Sequence, residues 1–170
     1  MSNRSLLFLL LFAVVIFLVV KFDVTTQVRI GVTNLIYGDE MRSMKGLRVV
    51  VEPLLPELEK DGLQQQEILK ELVTKVQSSG ISILSEEEWR RTRGKPALTA
   101  SIQAAKLEKQ NYQYTVAIEL TKNETMSDRP GTEKIKTIWS SSGMGEGAVY
   151  DIRMKINEIT NIFLKARAGG

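Results

Sequence analysis

LRVVVEPLLPELEKDGLQQQEILKELVTKVQSSGISIL, residues 47–84, decides the fold. It opens on a short run rich in valine that Pro53 and Pro56 bring to a stop, because proline cannot donate to a sheet ladder. Asp61 then stands before a segment in which Leu63, Ile68, Leu72, Val73 and Val76 fall near helical spacing, with Gly80 as the stop. A second apolar run, Ile81 to Leu84, follows at once. Strand, helix and strand in that order form a β-α-β crossover, so the strands beginning at Leu47 and Ile81 are expected to be parallel.

Downstream, Ser85 and Glu88 have the S-x-x-E spacing of a capping box, which starts a short helix at Ser85. Glu86 to Glu88 occupy its first turn and Arg90, Arg91 and Arg93 lie toward its end, the distribution the helix dipole favours. Gly94 and Pro96 close it. Two alternating runs come next: Leu98, Ala100, Ile102 and Ala104, then Tyr112, Tyr114, Val116, Ile118 and Leu120. They predict a hairpin turning near Leu107 to Asn111. A third strand, KIKTIWSSS from Lys134, is expected after a polar loop from Lys122 to Glu133 that contains the turn signal Arg129-Pro130-Gly131. The stretch Gly143-Met144-Gly145-Glu146-Gly147 reads as a flexible strand-to-helix loop. In the last helix Val149, Ile152, Ile156, Ile159 and Phe163 recur at three and four, giving one apolar face for the sheet. The fold class is α+β: a small mixed sheet, β-α-β followed by an antiparallel meander, packed by two main helices over residues 47–170.

Upstream, every residue from Leu6 to Val20 is apolar, Leu6, Phe8, Phe12, Ile16, Phe17 and Val20 among them, with no amphipathic face. With Phe22 included and Lys21 snorkelling, the helix is about 25 Å long, the short end of what crosses a bilayer core of roughly 30 Å. The competing reading is a cleaved signal peptide, but nothing of the A-x-A type follows Val20. Residues 1–23 are therefore expected to be a retained N-terminal transmembrane signal-anchor. Arg4 before the helix favours a cytoplasmic N-terminus and an extracytoplasmic domain, which in a bacterium means the inner membrane and the periplasm. Residues 24–46 form a transition in which Val24, Thr26, Val28, Ile30 and Val32 alternate until Gly31 and Gly38 intervene. An edge strand or linker, an interfacial segment and a contact for a neighbouring subunit all fit them.

Composition narrows the chemistry. Among 170 residues there is no Cys and no His, which removes disulfides, thiolate catalysis, a lipidated cysteine, and the commonest general base and transition-metal ligand. Twenty-three Lys and Arg against 20 Asp and Glu alternate along most of the chain, without the concentrated basic footprint that nucleic acid requires. No cofactor is expected, and the partners are the lipid bilayer and other membrane or periplasmic subunits.

In motif order, VVVEPLLPELEKDGLQQQEILKELVTKVQSSGISIL, EEEW, the strand pair, TIWSSSG and INEITNIFLKA resemble a group of uncharacterised bacterial exported α+β domains. In outline they are similar to the N-terminal domain of the Tol-Pal system's periplasmic propeller protein. The resemblance covers about 120 residues through structural motifs only, so it implies an extracytoplasmic scaffold or binding domain and brings no catalytic residue with it.

The candidate contact for a partner or for lipid is Trp89 with Arg90, Arg91, Arg93 and Lys95, because Trp and Arg concentrate binding energy. The plain alternative is one ring buried under the sheet with solvated arginines around it. The glycines at 143, 145 and 147 match neither a dinucleotide fingerprint nor a P-loop. Adjacent Glu86, Glu87 and Glu88 splay around a helix, and they cap it more readily than they converge on a substrate. These features predict a non-enzymatic, membrane-anchored accessory or assembly subunit, with a free-standing envelope binding protein for a peptide, glycan or lipid as the alternative.

Overall fold

The computed structural model describes residues 38–126 and 131–169. The chain divides after Ile36 into two units, and all described residues belong to the second. The expected transmembrane segment, including Leu6, Phe8, Phe12, Ile16, Phe17 and Val20, lies outside the described residues, as do residues 24–37 of the transition. Among the described residues no helix is long and apolar enough to cross a membrane.

Residues 38–43 make a helical turn. The elements then run β1 (Gly46–Val51), α1 (Pro56–Lys60), α2 (Gln65–Ser78), β2 (Ser82–Ile83), α3 (Glu86–Arg91), β3 (Ala97–Glu108), β4 (Asn111–Thr125), β5 (Glu133–Gly147) and α4 (Val149–Ala168). One sheet holds all five strands in the order β2-β1-β3-β4-β5. β1 pairs in parallel with both β2 and β3, whereas β3, β4 and β5 form the antiparallel meander. The α+β architecture, the parallel β-α-β unit and the two main helices are present as the sequence implies.

The core lies between one face of the sheet and the pair α2 and α4. Alternation buries Leu47, Val49 and Val51 of β1, Leu98, Ala100 and Ile102 of β3, and Tyr112, Tyr114, Val116, Ile118 and Leu120 of β4. Helical spacing brings Ile68, Leu72 and Val76 of α2 and Ile152, Ile156, Ile159 and Phe163 of α4 onto them. Each such side chain, fully removed from water, contributes about 1.5–3 kcal/mol before ordering costs. α3 lies on the other face: Arg48, one residue out of phase with the buried positions of β1, reaches Glu86 and Trp89 there. Its Ser85 cap forms as expected, the hydroxyl accepting from the Glu88 N–H and the Glu88 carboxylate accepting from the Ser85 N–H.

The structure corrects several expectations. Pro56 opens a helix instead of only ending a strand, since its missing N–H and fixed φ suit a first helical turn, and α1 results. Asp61 is the C-cap of α1, not the start of α2. The polar loop at Lys122 to Glu133 is shorter than it reads: β4 continues to Thr125 and β5 starts at Glu133. Charge pairing sustains that extension, because Lys122 and Lys136 both meet Glu40 and Glu124. The glycine stretch is no flexible loop but the last turn-free part of β5, in register with Tyr112 to Val116.

Candidate functional site

Four of the five residues singled out as a contact patch are engaged with neighbours in the domain. Trp89 is half-buried, with the Arg48 guanidinium 5.0 Å from its ring centroid. Its Nε1–H is enclosed without an acceptor among the described residues. Arg90 donates to Glu86 at 2.8 Å and Arg91 pairs with Glu87, both one helical turn back along α3. The carboxyl of Glu86 is held below its ordinary value chiefly by the Arg90 hydrogen bond, with Arg48 adding to the effect. Lys95, in a left-handed conformation (φ 40), crosses to Glu133 at the start of β5, 3.0 Å away. Arg93 is exposed and has no ion-pair partner among the described residues. The residues that sequence reasoning missed are Arg48 and Glu86. Arg48 was visible as the outward position of an otherwise apolar strand, but its meeting with Trp89 depends on α3 crossing to the far face.

A second polar cluster joins distant segments. Asp61 accepts hydrogen bonds from Tyr112 Oη at 2.5 Å and from Lys106 Nζ at 2.8 Å, and Lys106 Nζ also stands 5.4 Å from the Tyr112 ring centroid. It ties α1 to the β3–β4 hairpin. The Lys106 hydrogen bond, and then that of Tyr112, hold the Asp61 carboxyl below its ordinary 3.8. The same contact raises Lys106 above 10.5. A lowered carboxyl stabilises the fold above its unfolded pKa and loses that contribution as pH falls through its folded value; a raised ammonium loses it as pH rises through its folded value. The destabilisation caused by Asp61→Asn is therefore expected to be largest between these limits. It should shrink as pH drops below 3.8 or climbs above 10.5, as followed by thermal unfolding. A pH-independent difference would deny the ionic character of the cluster.

The sheet face not covered by α2 and α4 is broad and polar, carrying Thr99, Ser101, Thr115, Ala117, Ser140 and Ser142 at half-exposed or exposed positions. Near its β4–β5 end a shallow depression of about 470 Å³ is lined by Gln103, Gln113, Thr115, Met144 and Glu146, among others. Met144 is 79% exposed. The outer edge of β5, a 15-residue strand, has no partner strand among the described residues. Among the described residues no group of three or more His, Cys, Asp or Glu side chains is placed to hold a metal ion. The arrangement offers contact surfaces: an open face, a free edge and two charge-paired corners.

No protein-family profile matches the chain, and no curated protein matches it. Among solved structures, a PelC dodecamer from Paraburkholderia phytofirmans is similar over 70% of this chain and 90% of its own, at 13% identity and a TM-score of 0.40.

Proposed function

We propose that the protein is a non-enzymatic, membrane-anchored accessory or assembly subunit of an inner-membrane or envelope complex, with this domain on the periplasmic side of a bacterial inner membrane. The observation that carries the reading is the uneven cover of the sheet. The main helices α2 and α4 pack on one face and α3 sits over β1 on the other, while among the described residues Ser140, Ser142 and Met144 of β5 are exposed and the outer edge of β5 has no partner strand. Unpaired backbone N–H and C=O groups along such an edge are templates for strand addition or for docking. The apolar run Leu6 to Val20, with Arg4 before it, supports anchoring and orientation. The resemblance to exported envelope domains points the same way.

Purification in mild detergent followed by native mass spectrometry is expected to retain a stoichiometric partner and an intact N-terminus. A clean monomer in every mild detergent, or a mass short of the first 20 to 30 residues usual for a signal, contradicts the reading. The second reading, a free-standing envelope binding protein, draws on the depression at Gln103, Gln113 and Met144 beside the β5 edge. A peptide, glycan or lipid that binds only the folded state must raise the melting temperature, which separates the two readings.

A further inference from the structure

The two ends of the sheet differ in charge. β1, β3 and β5 begin and β4 and α4 end at the same end, as the pairs Ala97–Thr121 and Thr125–Glu133 and the bond from Arg167 Nη2 to the Met44 carbonyl fix. Residue 38 joins the preceding chain there too, since Glu40 pairs with Lys122. Acidic groups at this end are already occupied: Asp39 by Arg42, Glu40 and Glu124 by Lys122 and Lys136, Glu133 by Lys95. Lys45, Arg93, Lys134 and Lys165 are exposed there, with no ion-pair partner among the described residues. Between Lys134 and Lys136, Ile135 is 70% exposed. The opposite end reverses the pattern: among the described residues Glu52, Glu57, Glu59 and Glu108 are exposed and unpaired there, with Lys60 and Lys109 to offset them.

From this asymmetry we infer that the end carrying Lys45, Arg93, Lys134 and Lys165 is a docking surface for an anionic lipid headgroup layer, with Ile135 entering the interface. The inference rests on the anchored reading above and adds to it an orientation of the domain. Residues 21–37 span at most about 60 Å when fully extended, so for a chain anchored by Leu6 to Val20 contact between the domain and the bilayer is effectively intramolecular. Attraction between Lys or Arg and an anionic leaflet decays within a Debye length of about 8 Å, so only the end that faces the surface gains from it. The acidic end is repelled. An exposed isoleucine beside the exposed Lys134 suits a headgroup boundary, where an apolar side chain enters while the cation stays among the phosphates.

The test uses the full chain, which has no Cys, so a single fluorophore can be attached at Ala168→Cys beside Arg167 or at Gln110→Cys in the β3–β4 turn. Each labelled protein is reconstituted into vesicles of phosphatidylcholine alone, or of three parts phosphatidylcholine to one part phosphatidylglycerol, both containing a headgroup nitroxide quencher. Strong quenching at position 168 and little at 110 is expected in the anionic vesicles. It should be lost in neutral vesicles and in roughly 0.5 M salt, where screening is short-ranged. Combining Lys45→Gln, Arg93→Gln, Lys134→Gln and Lys165→Gln, all at exposed positions, should reduce quenching at 168 to the level at 110. Equal quenching at both labels, quenching at 168 that ignores lipid charge, or none there at all, as an acidic protein partner would give, overturns the inference. Flotation of the same samples reports anchoring separately: a chain that does not float with either vesicle contradicts the anchored reading itself.

Discussion

Phe163→Ala is expected to lower the unfolding free energy by about 3–5 kcal/mol, the range for removing a fully buried aromatic side chain and leaving a cavity. Phe163 is 0% exposed on α4, and its ring meets that of Trp139 on β5 edge to face, with centroids 5.2 Å apart and planes at 61°. Such a contact adds about 0.5–1.5 kcal/mol to area burial alone. The loss is a large part of the total, since domains of this size are stable by only about 5–15 kcal/mol. Urea titration followed by tryptophan fluorescence measures it, with Trp139 as a reporter at the cavity wall. A midpoint that falls at constant slope supports a packed α4. A loss below about 1 kcal/mol, typical of surface substitutions, would mean that α4 is not seated on the sheet as described.

Much of this architecture is legible in the sequence because hydrophobic periodicity and caps are local signals. The spacing of Ile152, Ile156, Ile159 and Phe163 is a helix face, and all four are buried. The alternation from Tyr112 to Leu120 is a strand, and its even-numbered members face the core. Ser85 and Glu88 mark a helix start that forms as a capping box. What the sequence does not reveal depends on partners far along the chain. Lys122 and Glu124 look like a loop because strand formation there relies on ion pairs with Lys136 and Glu40, the latter more than 80 residues from Lys122. Asp61 looks like a helix cap because its bonds to Lys106 and Tyr112 exist only once the hairpin folds back on α1. β1 lies between β2 and β3, an adjacency that no local pattern of β1 encodes.

The candidate contact patch shows the same limit. Residue type alone marks Trp89, Arg90, Arg91, Arg93 and Lys95 as a unit, yet most of them are taken up by contacts within the domain. Arg90 and Arg91 find acids one turn earlier, and Trp89 turns toward Arg48. Arg93 belongs to the set of cations at the domain's basic end that have no ion-pair partner among the described residues. The other members of that set, Lys45, Lys134 and Lys165, come from separate segments that the sheet and α4 bring together. A surface of that kind is assembled by topology, so it leaves no run of charge in the sequence.

The glycine stretch is the sharpest case of a strand with a hidden signal, and Gly145→Ala tests the reason. Gly143, Gly145 and Gly147 pair with Val116, Tyr114 and Tyr112, on the face that meets α4. Inward positions that are normally apolar are empty here because neighbouring side chains occupy the space, so the alternation that would announce a strand is missing. A Cβ on Gly145 would lie 2.6 Å from Tyr114 Oη and 2.8 Å from its Cζ, both impossible contacts. Tyr114 is 5% exposed and cannot swing out freely. Gly145→Ala is therefore expected to cost about 1–3 kcal/mol, the usual penalty of overpacking. Gly143→Ala should cost less, because the atom met at 2.9 Å belongs to the flexible Lys155 chain. The decisive comparison is made in a Tyr114→Ala background. With the ring gone, Gly145→Ala should be neutral or stabilising, as alanine loses less backbone entropy than glycine in a strand. The resulting coupling of the two sites is measurable by a double-mutant cycle in urea. A penalty at Gly145 that persists without the Tyr114 ring would place its cause in the backbone of β5 instead.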